Sequence, residues 1–560
     1  MSAADAMAER SAPAMNDARL CSLVLSICRV VAVLTVVTTL FGVWRRHTGV
    51  PWWDMWNGYI EFYLRTRAGD LSAWWQQHNE HRLVLSELFF YADLRWFNGR
   101  LWLPVVGNLI VAGSIWWLLA YVWKRICPAT LATSAARAVF WIIGVACFSW
   151  AQEENLPIAF QIQFFLACFL PLAAFAMLAF FAEETERVGR FAAAAVLGAL
   201  SAGTMANGIA VPLMLFVFAV FLRLRLWQIV TLAVLAIAVP AIYLSGYATP
   251  EIHDSPVHAW TQTPVRALWF CCVFLGSALT QLRLGVALSG LVGLGLIVLL
   301  VSLGAKCLYN AKRSPWMAVL ALVLAYAVLA GLATASGRTS MGLGAALAGR
   351  YATVSLLAMT AALMLVIANA RSQRLVSGVL IAAALVCVGN VLVQARALKD
   401  PALHNYPLRL GFLALSLNVN DAPALQVLFP DNARLRAIAS HARADQIGLF
   451  GGWPFRDAQA LVGKPASAVP HVQCDAVIVH RNPVLNENTQ RVEGYLASST
   501  SQTRDEVVLL LDAHDDIAGV ALAGMPQADI QSAHANAVNG FVGYVVQGRT
   551  ATHAMCAAAP

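Results

Sequence analysis

Over its first 396 residues the 560-residue chain alternates long apolar runs with short polar connections. A helix needs about 20 apolar residues to cross the hydrocarbon, and as a helix it satisfies its own backbone hydrogen bonds. On that criterion eleven spans are predicted, near 22–44, 103–123, 138–152, 157–181, 191–206, 208–222, 227–247, 284–304, 315–335, 351–370 and 375–395, the fifth and sixth being short. Two stretches depart from a simple serpentine. Residues 268–281 are apolar but short and predict a re-entrant or interfacial helix. Thr204-Met205-Ala206-Asn207-Gly208 separates two half-length helices, and backbone exposed at that depth is tolerated only where it lines a cavity or is buried in protein.

The pattern changes after residue 396. Residues 397–470 mix Pro, Leu, Arg and Asp with weak helical periodicity near 430–447, predicting short helices against the outer membrane face. From about 471 short β-rich runs, 476–480, 507–511 and 541–546, alternate with Asn, Asp, Gly and Pro turns. The expected fold class is therefore an α-helical polytopic membrane protein of about 11 spans with a small C-terminal all-β sandwich. Its parts are a tail (1–21), a membrane domain (22–396) carrying a long loop (45–102), a linker (397–470) and the β domain (471–560).

Composition agrees: 59% of residues are hydrophobic and only 12% charged, against about 25% in soluble proteins. The net charge of +8 is uneven: residues 1–400 hold 28 Lys and Arg against 17 Asp and Glu, whereas 401–560 hold 10 against 13. A basic excess confined to the membrane part is what cytoplasmic connections and lipid headgroups require, and it implies no nucleic-acid partner. Lys124, Arg125, Arg187, Arg190, Arg223, Arg225, Lys306, Lys312, Arg313, Arg371 and Arg374 fall on alternate connections, which places the N-terminus in the cytoplasm. An odd number of spans puts the loop 45–102 and everything after Arg396 outside. The first apolar run is too long, and lacks a small-residue cleavage site, for a removable signal peptide. Among eleven cysteines, Cys474 and Cys556 alone bracket the β domain, and an extracytoplasmic compartment predicts a disulfide between them.

Ionisable groups beside membrane helices mark functional sites by default. Asp54 lies among Trp52, Trp53 and Trp56, and Glu61 follows seven residues later, on the same face if the segment is α-helical. His78, Glu80, His81 and Arg82 form a second group: Arg82 suits a phosphate, and the imidazoles a proton or metal, although no metal-ligand signature is present. Glu153, Glu154 and Asn155 make a short acidic connection, and Gln161 and Gln163 offer amides to a sugar or lipid phosphate. Asn207, His253, Asp254, Arg338, Arg350 and Tyr351 complete the outward polar set. Each also has a plain structural explanation: Asp54 a solvated acid at headgroup level, the glutamates a hydrated turn, Arg350 an interfacial anchor.

The strings PWWDMW, HNEHR, QEEN with FQIQF, and ANG, in an eleven-span chain with an acid behind its first helix and an outer C-terminal domain, resemble the GT-C superfamily of membrane glycosyltransferases. The likeness covers most of residues 20–396 and is nearest to uncharacterised bacterial members. It implies a bacterial inner-membrane enzyme that moves a sugar from a polyprenyl-phosphate carrier to a glycan, lipid or protein acceptor on the outer side. Asp54 would act as general base, with Glu61, Glu153 and Glu154 as further acids and Arg82 and Arg350 facing the leaving phosphate. There is no Asp-x-Asp or Glu-x-Asp pair, so a divalent ion is compatible with the resemblance but not required by it. A lipid or glycan transporter, or a non-catalytic envelope scaffold, are the alternatives.

Overall fold

A computed structural model describes residues 3–249, 256–282, 285–484, 488–499, 507–525 and 539–558. The chain divides into two compact units. The first comprises residues 1–44, 75–86 and 105–399; the second comprises 45–74, 87–104 and 400–560. The long loop is thus shared: its middle belongs with the membrane helices and its flanks with the C-terminal region.

Among the described residues nine helices are long and apolar enough to span a membrane: Leu20–Arg46, Trp102–Ile126, Thr133–Gln152, Ala159–Glu183, Leu226–Leu244, Gly285–Tyr309, Pro315–Met341, Gly349–Asn369 and Gln373–Ser416. The protein is a multi-pass membrane protein. Burial sorts these helices. Ala159–Glu183 is enclosed by protein along most of its apolar stretch, whereas Leu226–Leu244 and Gln373–Ser416 expose apolar side chains such as Ile237 and Leu392, about three-quarters accessible. A face that apolar is stable only against lipid.

The short fifth and sixth runs form Val188–Leu200 and Ala210–Leu222, joined through 3₁₀ turns at Ser201–Gly203 and Ala206–Ile209. Here the chain doubles so tightly that a Cβ on Gly208 would lie 1.9 Å from the Ser201 carbonyl oxygen. Residues 268–281 lie in the helix Pro264–Leu275 and the 3₁₀ turn Ser277–Leu282; Phe270 through Leu275 are buried in the helical core. That helix packs on Gly285–Leu299 at backbone contact, since a Cβ on Gly293 would stand 1.8 Å from the Cys272 carbonyl oxygen.

In the second unit, residues 400–470 include the helices Ala402–Ser416, Ala422–Leu428 and Asn432–Ala444. Ala402–Ser416 packs on the sheet, its Tyr406 hydroxyl donating to the Leu522 carbonyl at 2.8 Å, and Asp421, just before Ala422–Leu428, accepts from the Tyr544 hydroxyl (2.7 Å) and pairs with Arg491 (3.3 Å). A turn through Asn98 and Leu101, both at positive φ, is held by buried Asp93, which accepts from the Leu101 and Leu103 amides and the Tyr59 hydroxyl.

Two strands in the first unit, β1 (Gln77–His78) and β2 (His81–Arg82), make a hairpin whose tip residue Asn79 takes the left-handed conformation that asparagine tolerates. In the second unit β3 (His471–Val472), β4 (Cys474–Pro483), β5 (Gln490–Ser499), β6 (Val507–Leu511), β7 (Ile517–Met525), β8 (Asn539–Val545) and β9 (His553–Ala557) form one antiparallel sheet in the order β3-β9-β6-β7-β8-β5-β4. The sandwich expectation therefore meets a single seven-stranded sheet. β3 and β4 are separated by one residue yet occupy opposite edges, so the sheet curls until its edges meet. The Cys474–Cys556 disulfide joins β4 to β9 at that seam, with Cα atoms 5.9 Å apart.

Replacing either cysteine by serine is expected to lower the stability of this unit by about 2–4 kcal/mol, because the bridge restricts the unfolded chain. Protease cleavage of the full-length protein under denaturant titration, compared with and without reductant, checks this.

Candidate functional site

The interrupted helix sets the geometry of the first unit. A helix restarted at Ala206 leaves amide donors without helical acceptors, which hydrocarbon cannot solvate. The Ala206 amide donates to His81 Nδ1 at 3.1 Å, and the Thr204 hydroxyl donates to the Ser201 carbonyl at 2.7 Å. His81 Nδ1 is therefore an acceptor, and its Nε2 lies 3.7 Å from the Glu80 carboxylate. Glu80 is ion-paired with Arg338, whose other nitrogen donates to the Tyr351 hydroxyl at 2.6 Å. The Tyr351 ring packs on Phe274 at 4.7 Å. Sequence positions 80, 81, 206, 338 and 351 thus converge.

Arg82 takes no part as a free cation. It is buried, and its side chain donates to the carbonyls of Tyr243 (3.0 Å), Ser245 (2.8 Å) and Trp75 while its guanidinium packs over the rings of Trp75 and Tyr243. It clamps the hairpin to the loop after Leu244, and the expected phosphate contact gives way to that structural task. Gln77 completes the clamp by exchanging two hydrogen bonds with Ala248. Nearby Tyr247 has its phenol pushed up by burial and by the Glu80 carboxylate. His78 lies edge-on to Phe160 at 5.3 Å.

A second polar layer meets the first at residues 350 and 351. Asn155 is fully buried; its amide donates to the Arg350 carbonyl (2.8 Å) and the Thr353 hydroxyl (2.7 Å), leaving Oδ1 without a partner. Glu154 is exposed and accepts from the Arg350 amide at 3.1 Å, with its carboxyl group against Gly349. Glu153 pairs instead with Arg396 at 3.6 Å. The guanidinium of Arg350 lies over its neighbour's ring, 5.6 Å from the Tyr351 centroid, and its Nε is buried without a hydrogen-bond partner. Gln161, Gln163 and Asn207 each carry a buried amide oxygen with no partner, while Asn207 donates to the Tyr326 hydroxyl at 2.9 Å. His253 and Asp254 lie outside the described residues.

Asp54 and Glu61 belong to the second unit. Asp54 is half-buried in the turn before a helix that starts with π turns over Trp56–Glu61. A π turn is wider than an α turn, so seven residues do not complete two turns, and the common face expected for Asp54 and Glu61 is lost. Glu61 pairs with Arg434 at 2.8 Å. Trp56 is fully buried near Phe412, Trp52 lies edge-on to His404, and Trp53 alone of the three is exposed. Among the described residues no group of three His, Cys, Asp or Glu could hold a metal ion, so no ligand set for a divalent ion emerges.

Two residues were not singled out by the sequence. Asn108, inside an apolar run, donates to the carbonyls of Asn155 (3.0 Å) and Ile158 (3.0 Å) and shapes the acidic connection; a lone Asn in a spanning helix was its signal. Glu87 in the helix Val84–Trp96 is buried, with Oε2 unpartnered, and burial pushes its carboxyl up to about 8. No protein-family model matches the chain, and no curated protein is significantly similar to it.

Two predictions follow from these pairings. Glu80→Gln and Arg338→Met are each expected to destabilise the protein by about 1–3 kcal/mol, and the double variant by less than their sum, because each single change strands a partly buried charge; thermal unfolding in detergent reads the cycle. Glu87 titrates near 4.5 when unfolded and about 8 when folded, so the folded chain holds the extra proton between these values. Stability should fall as pH rises from about 4.5 to 8, and Glu87→Gln should flatten that part of the melting-temperature profile.

Proposed function

We propose that the chain is a membrane glycosyltransferase of the GT-C kind, transferring a sugar from a polyprenyl-phosphate carrier to an envelope glycan, lipid or protein acceptor on the outer face of a bacterial inner membrane. In this proposal the chain crosses eleven times, Val188–Leu200 and Ala210–Leu222 forming a broken pair and Pro264–Leu275 re-entering. The N-terminus is cytoplasmic and the second unit extracytoplasmic.

The observation that carries the proposal is Arg350. Among the described residues its guanidinium has no carboxylate partner, whereas Arg82 and Arg338 are occupied, and its buried Nε lacks an acceptor. A phosphate oxygen would supply one through a charge-assisted hydrogen bond. The unpartnered amide oxygens of Asn155, Gln161 and Asn207 are suited to accept from sugar hydroxyls. Glu80, neutralised by Arg338, and Tyr351 position the cation. Glu154 holds the Arg350 backbone from below. Asp54 is the proposed general base toward the acceptor hydroxyl, the role the family resemblance implies for it. Glu61 and Glu153, each paired with an arginine, support their surroundings and take no proton in this scheme.

The discontinuous helix at residues 204–208 also favours a second reading, a lipid or glycan transporter, because broken helices build transporter sites. Membranes supplied with labelled polyprenyl-phosphate sugar separate the two. Asp54→Asn is expected to fold normally and lose transfer by at least about 100-fold. Arg350→Ala should raise the donor KM by at least about tenfold, with partial recovery in Arg350→Lys. Full transfer in Asp54→Asn removes that assignment, and movement of intact donor without product supports the transporter.

A further inference from the structure

The second unit holds a cavity of about 510 Å³ that none of the residues given a role in the proposed transfer lines. Its wall combines Arg45, His47 and Thr48 with Asp400, Asn405 and Arg409, and is closed by Trp453 and Phe455. Two arginines and one carboxylate line it, and Asp400 accepts from the Ala402 amide at 3.1 Å at the start of the helix Ala402–Ser416. The first turn of that helix adds its positive dipole end to the wall. His47 stacks on Trp102 at 3.7 Å between centroids, and burial lowers its imidazole to about 4, so it is a neutral hydrogen-bonding group at physiological pH. Asn405 Oδ1 is buried and has no hydrogen-bond partner. A buried amide oxygen left unpaired costs about 1–3 kcal/mol unless a ligand donor or water reaches it.

The ligand must satisfy three features at once: positive charge, an acceptor awaiting an O–H or N–H donor, and an aromatic wall. A bare anion satisfies only the first, and an apolar molecule only the last. Chain connectivity adds a fourth. Arg45 belongs to the last turn of the first candidate span, so this part of the wall stands where that helix leaves the membrane.

We propose that this cavity binds a phosphate ester carried on a polyol, with Arg45 and Arg409 on the phosphate, Asn405 accepting from a hydroxyl and Trp453 flanking the carbon skeleton. Two sources carry that chemistry: the headgroup of an anionic glycerophospholipid and a water-soluble sugar phosphate. The site is independent of the transfer reaction proposed above, since none of its residues has a role there.

The test uses the full-length protein. Reconstituted in phosphatidylcholine nanodiscs, it is titrated calorimetrically with glucose 1-phosphate, with glucose and inorganic phosphate as controls. In parallel, native mass spectrometry asks whether phosphatidylglycerol is retained from mixed nanodiscs. Arg409→Ala is expected to weaken whichever ligand binds by at least about tenfold. Ala402→Trp fills the cavity without removing a charge and should abolish binding, which guards against misfolding of the arginine variant. Arg350→Ala should leave binding unchanged. Saturable sugar-phosphate binding lost in both cavity variants assigns a soluble ligand; phosphatidylglycerol retained by the parent and lost in both variants assigns a lipid. Binding of neither probe, binding equal in parent and both cavity variants, or loss in Arg350→Ala overturns the proposal.

Discussion

A peptide group in hydrocarbon must find its hydrogen-bond partner within the protein, and at residues 204–206 the chain meets that requirement with a side chain instead of a helix. His81 accepts from Ala206, and much else follows from it. The imidazole must arrive from outside the broken helix, so a hairpin carries it, clamped by Arg82 and Gln77 to the loop after Leu244. A two-residue hairpin places Glu80 beside His81, and a carboxylate there needs a cation, which Arg338 supplies. Arg338 in turn fixes Tyr351 and thereby the turn that carries Arg350.

Three arginines of one unit consequently stand in three electrostatic states. Arg82 is saturated by main-chain carbonyls, Arg338 is neutralised by Glu80, and Arg350 keeps an unpartnered Nε. Guanidinium chemistry is the same in each; only the neighbours differ. A buried guanidinium nitrogen left without an acceptor among the described residues is where an external anion gains most.

Much of this was legible in the chain. Apolar runs identify spanning helices because a bilayer sets both their length and their composition, and the two runs too short to span alone became the broken pair. The disulfide was legible because Cys474 and Cys556 alone bracket the β domain, the other nine cysteines lying in or beside apolar segments. What depended on tertiary contacts was hidden. Nothing in residues 45–102 marks which stretch joins which unit, since both are rich in Trp, Arg and acids. The Asp54 to Glu61 spacing assumed α geometry and met π turns. Glu87 reads as an ordinary acid in a short amphipathic helix; its burial arises from what packs around it. Arg82 reads as a phosphate ligand because sequence shows the charge and not the three carbonyls that occupy it.

The curled sheet has a consequence of its own. An open sheet ends in strands whose amides and carbonyls can recruit another chain, by strand addition or by aggregation. Here the two outermost strands are consecutive in sequence, the disulfide fastens one to β9, and Arg481 of β4 donates to the Ala551 carbonyl at 2.9 Å. Among the described strands, the seam thus protects the edges that a partner would zip onto. Whatever this unit recognises, it is poorly suited to do so by lending its sheet to a foreign strand, and its helices and loops are left as the surfaces for recognition.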